Sequence, residues 1–316
     1  MTSMPGVLTH AAYTLGNRLA GTGRTSGRPI LLVGNGRSGT SWTGQTLGWA
    51  ERVLYYREPC HPYRNGIHDD AEANRIWARY LRPGDSDAFF EATLGKAFEG
   101  HFWQGSGHPP RAFARRIASR PRVLVKEVAS FLSAEWVAKK WNPAMVVIFR
   151  HPGAYAVSVR RMNHPEREIA RLRLMCSDPK LVEDHIGDLA APLSEIDDPM
   201  EASLATWGIR TRAALASLAR NPEWNRVHYE EIAADPVPTF AKLYDRLGLS
   251  WSENVAAKIR AKTTSQAEGQ FSTARVSQDR IDAWRRDLDA AQAARLRRVI
   301  ELFDLPIYST PSDWAL

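Results

Sequence analysis

PILLVGNGRSGTSWTGQTLGWAERVLYYRE, residues 29–58, decides the fold. Ile30 to Val33 form a short apolar run that suits a buried strand. Gly34-Asn35-Gly36-Arg37-Ser38-Gly39 follows as a loop, and Thr40-Ser41-Trp42 opens a helix. Glycine lets backbone turn sharply and approach a ligand closely, and the free amides at a helix N-terminus attract anions. The stretch therefore reads as a phosphate site. The triphosphatase pattern G-x-x-x-x-G-K-[ST] fits Gly34 and Gly39, but Thr40 stands where the lysine belongs. The dinucleotide pattern G-x-G-x-x-G is met literally by Gly34, Gly36 and Gly39. It calls for an acidic residue about 20 residues further on, and Glu58 lies 19 residues past Gly39, after Val53–Tyr56. A dinucleotide (NAD or NADP)-dependent oxidoreductase is thus one open reading.

The chain has 316 residues with 44% hydrophobic and 24% charged content, which is ordinary for a globular protein. Its formal net charge is +7, and the excess is carried mainly by arginine. That balance favours anionic ligands without choosing among them, and a solvated basic surface explains part of it. Cys60 and Cys176 are the only cysteines, far apart and without metal-ligand spacing. A reducing, cytoplasmic setting is expected. No apolar run reaches transmembrane length. Residues 1–28 lack a signal-peptide pattern and read as a flexible lead-in.

Along the chain, the periodicity predicts a helix over 39–52, a strand over 52–57, and helices over 75–81 and 88–102. Strands are predicted at Val123–Lys126, Ala144–Phe149 and Arg226–Tyr229, with a helix from Ser133 to Trp141 and another over 154–161. Residues 176–200 mix acidic residues with Pro and Gly and read as a lid-like loop. Helices are expected over 204–218, 238–247, 253–262, 278–287 and 290–303. The basic run 160–173 reads as a solvated helix face or as the border of an acidic acceptor. The tryptophans read mostly as core anchors whose N–H finds a partner. Arg37, Glu58, Lys126 and Arg150 all fall at carboxyl ends of strands, where open α/β sheets bind ligands. The expected fold is α/β: a P-loop-like three-layer sandwich with a mostly parallel central sheet, helices on both faces and an inserted helical cap. Residues 29–316 are expected to form one domain, with 64–121 and 162–200 as substrate-shaping insertions.

The loop Arg37-Ser38-Gly39-Thr40-Ser41-Trp42 and the segment VIFRHPGAYAVSVRR (147–161) recur as a pair in one family, supported by Val227-His228-Tyr229-Glu230-Glu231. Over residues 29 to 305 the chain resembles the sulfotransferases that use 3′-phosphoadenosine 5′-phosphosulfate (PAPS). The resemblance implies that Arg37, Ser38, Gly39, Thr40, Ser41 and Trp42 hold the 5′-phosphosulfate, that Arg150 and Ser158 bind the 3′-phosphate, and that Tyr229 is an adenine-side contact. Ser158 lies eight residues past Arg150, two helical turns along. Arg275, in Phe271–Arg275, is assigned as a further 3′-phosphate contact from a C-terminal loop.

Cytosolic phenol- and steroid-type members carry their base in a Lys-Thr-His segment, and here that segment reads Lys126-Glu127-Val128. Tyrosylprotein and many carbohydrate members carry a glutamate about twenty residues beyond the loop, often before proline. Glu58-Pro59 sits 21 residues beyond Arg37, so the chain resembles this second group. The resemblance implies in-line transfer to an acceptor hydroxyl, with Glu58 as general base and Arg37 and Lys126 stabilising developing charge. No metal is implied, because basic side chains supply the neutralisation. The implied partner is a hydroxyl-bearing glycan, glycolipid or other natural product, with no nucleic acid and with homodimerisation open. Against these roles, Glu58 pairs merely with Arg57 or Arg64, Lys126 is a rim lysine with a packed stem, or His61 is the base.

Overall fold

The computed structural model describes residues 25–102, 120–162, 164–264 and 281–316. The N-terminal half runs β1 (Ile30–Gly34), α1 (Thr40–Leu47), β2 (Val53–Arg57), α2 (Asp70–Ala78), α3 (Ala88–Phe98), β3 (Arg122–Glu127), α4 (Ala134–Trp141) and β4 (Ala144–Phe149). The rest runs α5 (Pro152–Arg160), α6 (Pro165–Cys176), α7 (Pro199–Arg220), β5 (Asn225–His228), α8 (Tyr229–Ala234), α9 (Pro236–Arg246), α10 (Glu253–Thr264) and α11 (Ala290–Glu301). All strand pairings are parallel, in the order β2-β3-β1-β4-β5.

Period-two alternation assigns the two faces of the sheet. Leu31, Val33, Leu54, Val125 and Val147 pack with Ile76, Phe90, Leu94 and Trp136 from α2, α3 and α4. Ile30, Leu32, Leu124, Val146 and Ile148 pack with Leu47, Phe240, Leu243, Tyr244 and Ile259 from α1, α9 and α10. Both faces are thus covered by helices, which explains why β1 reads as an unbroken apolar run instead of an alternating one. Each buried aliphatic side chain contributes roughly 1.5–3 kcal/mol. A third cluster is helical: Leu172 and Met175 of α6, Leu204 and Trp207 of α7 and Leu296 of α11 form the cap. Aspartates start several of the helices. Asp69 caps α2, Asp87 caps α3 and Asp198 caps α7 by accepting first-turn N–H bonds.

Several boundaries differ from the sequence reading. α1 stops at Leu47, where Gly48 N–H donates to Gly44 O (2.9 Å) and Trp49 N–H donates to Thr46 O (3.1 Å). Helices expected to Leu81 and Phe102 end at Ala78 and Phe98. Tyr229 opens α8 instead of ending β5. Residues 176–200 are not a loop but a chain of short helical turns, pinned because Leu181, Ile186 and Leu193 are buried in the cap and Asp178 caps the first turn. Of the predicted helix 278–287, the described part is a 3-10 turn over Ala283–Asp287. Trp136 and Trp314 donate to Asp85 O and Tyr308 O, as expected of anchors, but the buried indole N–H groups of Trp42 and Trp207 have no partner among the described residues. Among the described residues no helix is long and apolar enough to cross a membrane.

The β1–β4 pairing aligns Gly34 with Ile148, and a Cβ at Gly34 would lie 2.6 Å from the Ile148 carbonyl oxygen. At Gly36 the nearest atom would be Val128 Cγ1 at 3.7 Å. Gly34→Ala should therefore lower the free energy of urea unfolding by about 1–3 kcal/mol, while Gly36→Ala changes it by less than about 0.5 kcal/mol. Equal stability of the two variants would contradict this register.

Candidate active site

The strand order places a topological switch between β1 and β4, whose connections leave in opposite directions. Ligands of open α/β sheets bind outside such a crevice. The β1–α1 loop turns there, with Ser38 N–H donating to Asn35 O (3.2 Å). Arg37 (φ 67°) and Gly39 (φ 83°) are both left-handed. Among the described residues no side chain caps α1, so the first-turn amides are placed for an anion. Gly39 is required twice over, since a Cβ there would also lie 2.5 Å from Tyr229 Cδ2.

The second strand–turn–helix unit is bonded to the first. Arg150 Nη1 donates to Arg37 O (2.7 Å), and Arg37 Nε donates to Ser158 Oγ (2.8 Å) on α5. The Arg150 guanidinium lies 4.4 Å over the Tyr229 ring, whose edge meets Trp42. Arg150 Nε is buried with no hydrogen-bond partner among the described residues, and the same holds for Ser38 Oγ. Residues far apart in sequence thus converge on one anion-shaped corner.

On the other side, β2–β3 pairing sets Arg57 against Lys126. Glu58 follows in a left-handed conformation (φ 51°), and its N–H donates to Lys126 O (2.6 Å). The Lys126 ammonium, 1% exposed, pairs directly with the Glu58 carboxylate. Burial pushes the Glu58 pKa up, but Lys126, Arg57 and His61 outweigh it and hold the carboxyl at about 2. Burial lowers the Lys126 pKa, opposed by Glu58. Lys126 is therefore no rim lysine, and Glu58 pairs with it instead of with Arg57 or Arg64; Arg64 donates to Arg57 O (2.9 Å). His61 lines the same cavity, its ring edge-on to Trp77 at 5.3 Å, and burial lowers its pKa.

Sequence reasoning passed over Glu127. It is fully buried and accepts from Cys60 N (2.7 Å), Val128 N (2.8 Å) and Ala129 N (2.9 Å). Burial raises its pKa, opposed by those N–H groups. Its bonds fix the Glu58-Pro59-Cys60 corner from behind, on the face opposite Lys126. The only signal was an acidic residue ending an apolar strand.

These groups share a cavity of about 730 Å³. Arg37, Gly39, Thr40, Ser41, Trp42, Glu58, Lys126, Arg150 and Tyr229 line it. Ser38 and Ser158 are not among its lining residues, although Ser158 accepts from the lining Arg37, and Arg275 lies outside the described residues. Missed from sequence were Arg57, Arg64, Trp77, Glu168 and Arg210, while Arg167 and Arg171 belong to the basic run noted there. Eight arginines and lysines face two carboxylates among the described lining residues, so the cavity favours an anion. Among the described residues no group of three or more His, Cys, Asp or Glu is placed to hold a metal.

The topology also disposes of the dinucleotide reading. In a dinucleotide fold the strand carrying the ribose-binding acid lies next to β1. Here β3 separates β2 from β1, and Glu58 is taken by Lys126.

Residues 29–253 match a family model described as the sulfotransferase family. No curated protein matches the chain. Similar solved structures include the sulfotransferase domain of the Synechococcus PCC 7002 olefin synthase, 16% identical over 90% of this chain and 98% of that one, with a TM-score of 0.49. A mouse sulfotransferase, SULT7A1, complexed with PAP is 13% identical over 92% and 90%, with a TM-score of 0.45. Sulfotransferase STF9 from Mycobacterium avium is 12% identical over 95% and 82%, with a TM-score of 0.46. With its glycine loop, both strand-end arginines and Lys126 inside the matched span, the chain belongs to the sulfotransferase family and is a sulfotransferase enzyme.

Proposed function

We propose that this sulfotransferase moves the sulfuryl group of PAPS to a hydroxyl of a carbohydrate, glycolipid or other natural-product acceptor, with Glu58 as general base and a cytoplasmic location. The observation that carries the reading is the buried Glu58–Lys126 pair lining the same cavity as the anion corner. The corner suits the nucleotide. α1 leaves its first-turn amides for a phosphate, buried Arg150 Nε lacks an acceptor among the described residues, and Gly39 keeps the loop open against Tyr229. Arg37, Ser38, Gly39, Thr40, Ser41 and Trp42 would hold the 5′ end, with Arg150, Ser158 and Tyr229 the 3′-phosphate and adenine side. Arg275 is retained in the proposal as a second 3′-phosphate contact.

When bound, PAPS supplies a sulfur–oxygen bond to phosphate that breaks as the bond to the acceptor oxygen forms, leaving adenosine 3′,5′-bisphosphate. Glu58 receives the hydroxyl proton. A carboxyl held at about 2 is a weak base while Lys126 donates to it. As negative charge builds on the leaving side, Lys126 and Arg37 are drawn to it. Glu58 then loses its cation and gains basicity when the proton must move. We further propose that the insertions at 64–121 and 162–200 shape acceptor access, since α2 and α6 contribute Trp77, Arg167 and Arg171 to the cavity wall.

Arg150→Ala should weaken adenosine 3′,5′-bisphosphate binding roughly 10- to 100-fold in isothermal titration without metal, the cost of one charge-assisted contact. Full retention of affinity would place the 3′-phosphate elsewhere. Glu58→Gln should lower kcat about 10²- to 10⁴-fold with bisphosphate affinity within threefold (~3-fold) of the parent, whereas His61→Gln keeps most of the rate. The opposite ranking would make His61 the base. Because the folded pKa of Glu58 is depressed, the pair's stabilisation is present above about pH 4.3 and is lost as pH falls towards 2. Glu58→Gln should remove that segment of the stability–pH profile, and an unchanged profile would show that the pair does not hold the carboxyl down.

A further inference from the structure

At the end of the cavity walled by α2, α6 and α7, the charges do not balance. Arg167 pairs with Asp70 (3.1 Å), and Arg171 pairs with Glu168 (2.7 Å) while its Nε donates to Asn74 Oδ1 (3.0 Å). Arg210, on α7 and 5% exposed, donates from Nη2 to Trp77 O (2.7 Å), and no carboxylate among the described residues pairs with it. A buried cation is expensive without a counter-ion, and the one carboxylate among the described lining residues whose charge favours Arg210, Glu168, is already paired with Arg171. Tyr155 beside Arg210 cannot serve, because burial and Glu168 push its phenol up to about 12 and keep it neutral. Glu168 is 6% exposed, and its second oxygen, Oε2, is buried without a hydrogen-bond partner among the described residues. Both Arg210 and Glu168 line the cavity.

A guanidinium with unused donors and a carboxylate oxygen with an unused lone pair, side by side, describe a recognition surface. The first calls for an anionic oxygen group. The second calls for a hydroxyl or N–H next to it. Neither belongs to the nucleotide corner, which is built from the β1–α1 loop, the β4–α5 turn and Tyr229.

We propose that the Arg210–Glu168 end of the cavity is an acceptor subsite for a carboxylate or phosphate, so that the preferred acceptor carries an anionic group on the same molecule as the hydroxyl to be sulfated. This rests on the sulfuryl-transfer reading above, because it takes the Glu58 end of the same cavity as the reacting end. Arg210 and Arg171 bind the anion, and Glu168 selects a neighbouring donor and rejects a second anion by repulsion. The acceptor is thereby held by the end remote from its reacting oxygen, which converts binding energy into orientation at Glu58.

The test is isothermal titration of the full chain, first with adenosine 3′,5′-bisphosphate and then, at saturating bisphosphate, with matched pairs. The pairs are glucuronate against glucose, 4-hydroxyphenylacetate against its methyl ester, and glycerol 3-phosphate against glycerol. At least one acid should bind about tenfold or more tightly than its neutral partner, the spread expected of one charge-assisted contact. The carboxylate and phosphate arms show which anion the subsite takes. Arg210→Gln should abolish the preference while leaving bisphosphate affinity intact. Arg210→Lys, which keeps the charge and loses the planar fork, should retain a reduced preference and serves if the glutamine variant does not fold. The proposal is overturned if no acid is preferred by the parent protein, if the preference survives Arg210→Gln, or if that variant loses the bisphosphate instead. A flat bisphosphate titration would count against the nucleotide reading alone, since the acid preference can still be read without it.

Discussion

The structure turns on a lysine that a parallel sheet has no ordinary reason to bury. Lys126 is the penultimate residue of β3, which lies between β1 and β2, and is 1% exposed. An ammonium there is tolerable only with a counter-ion, and removing one partner of such a pair typically costs about 3–5 kcal/mol. Glu58 is that partner, so the chain leaving β2 must turn back at once, and the left-handed conformation of Glu58 makes the turn. Glu127, one residue on and pointing the other way, holds the turn through Cys60 N–H. One requirement of electrostatics thereby fixes the exit of two strands and gives the enzyme a carboxylate and an ammonium in contact.

The anion corner obeys the same logic with opposite sign. It gathers cations with few carboxylates, and the resting protein uses its own oxygens to hold them in place. Arg37 spends its Nε on Ser158, Arg150 spends one nitrogen on the Arg37 carbonyl, and its face rests on Tyr229. Each arginine therefore waits in a defined rotamer, which reduces the ordering cost of binding. Ser158, eight residues past Arg150, accepts from the arginine of the other strand–turn–helix unit, a contact that spacing alone does not reveal.

Much of this was legible in the sequence where the signal was local. β1 and β4 are continuous apolar runs with turn residues at their ends, and both appear where the pattern placed them. Arg37, Glu58, Lys126 and Arg150 were picked out by their position at strand ends, and all four line the cavity. What depended on strand order was not legible. The literal G-x-G-x-x-G match and the well-spaced Glu58 leave a dinucleotide fold open as a rival, and the insertion of β3 between β1 and β2, with Glu58 paired to Lys126, separates the readings. Glu127, Glu168 and Arg210 escaped for a related reason: their surroundings come from elements distant in sequence, so no local pattern marks a charged residue as buried. The turns over 179–194 were hidden because three widely spaced apolar side chains, not a helical stripe, anchor them.

The residue after Arg150 shows how far support for the site extends. His151 is stacked on Trp284 at 4.4 Å, and burial, with Arg285 nearby, pushes its pKa down to about 3. It is therefore neutral, and its Nδ1 accepts the Gly153 N–H at the start of α5. The backbone N–H of His151 donates to Glu230 Oε1 (2.9 Å), whose other oxygen accepts from the Tyr308 hydroxyl (2.8 Å). A charged imidazole at this point would repel Arg150 and could not accept from Gly153. The C-terminal segment, by burying His151, thus enforces the protonation state that lets the β4–α5 turn close. The position of Arg150 against the glycine loop is set in part by aromatic residues more than 130 positions away along the chain (~134 residues to Trp284).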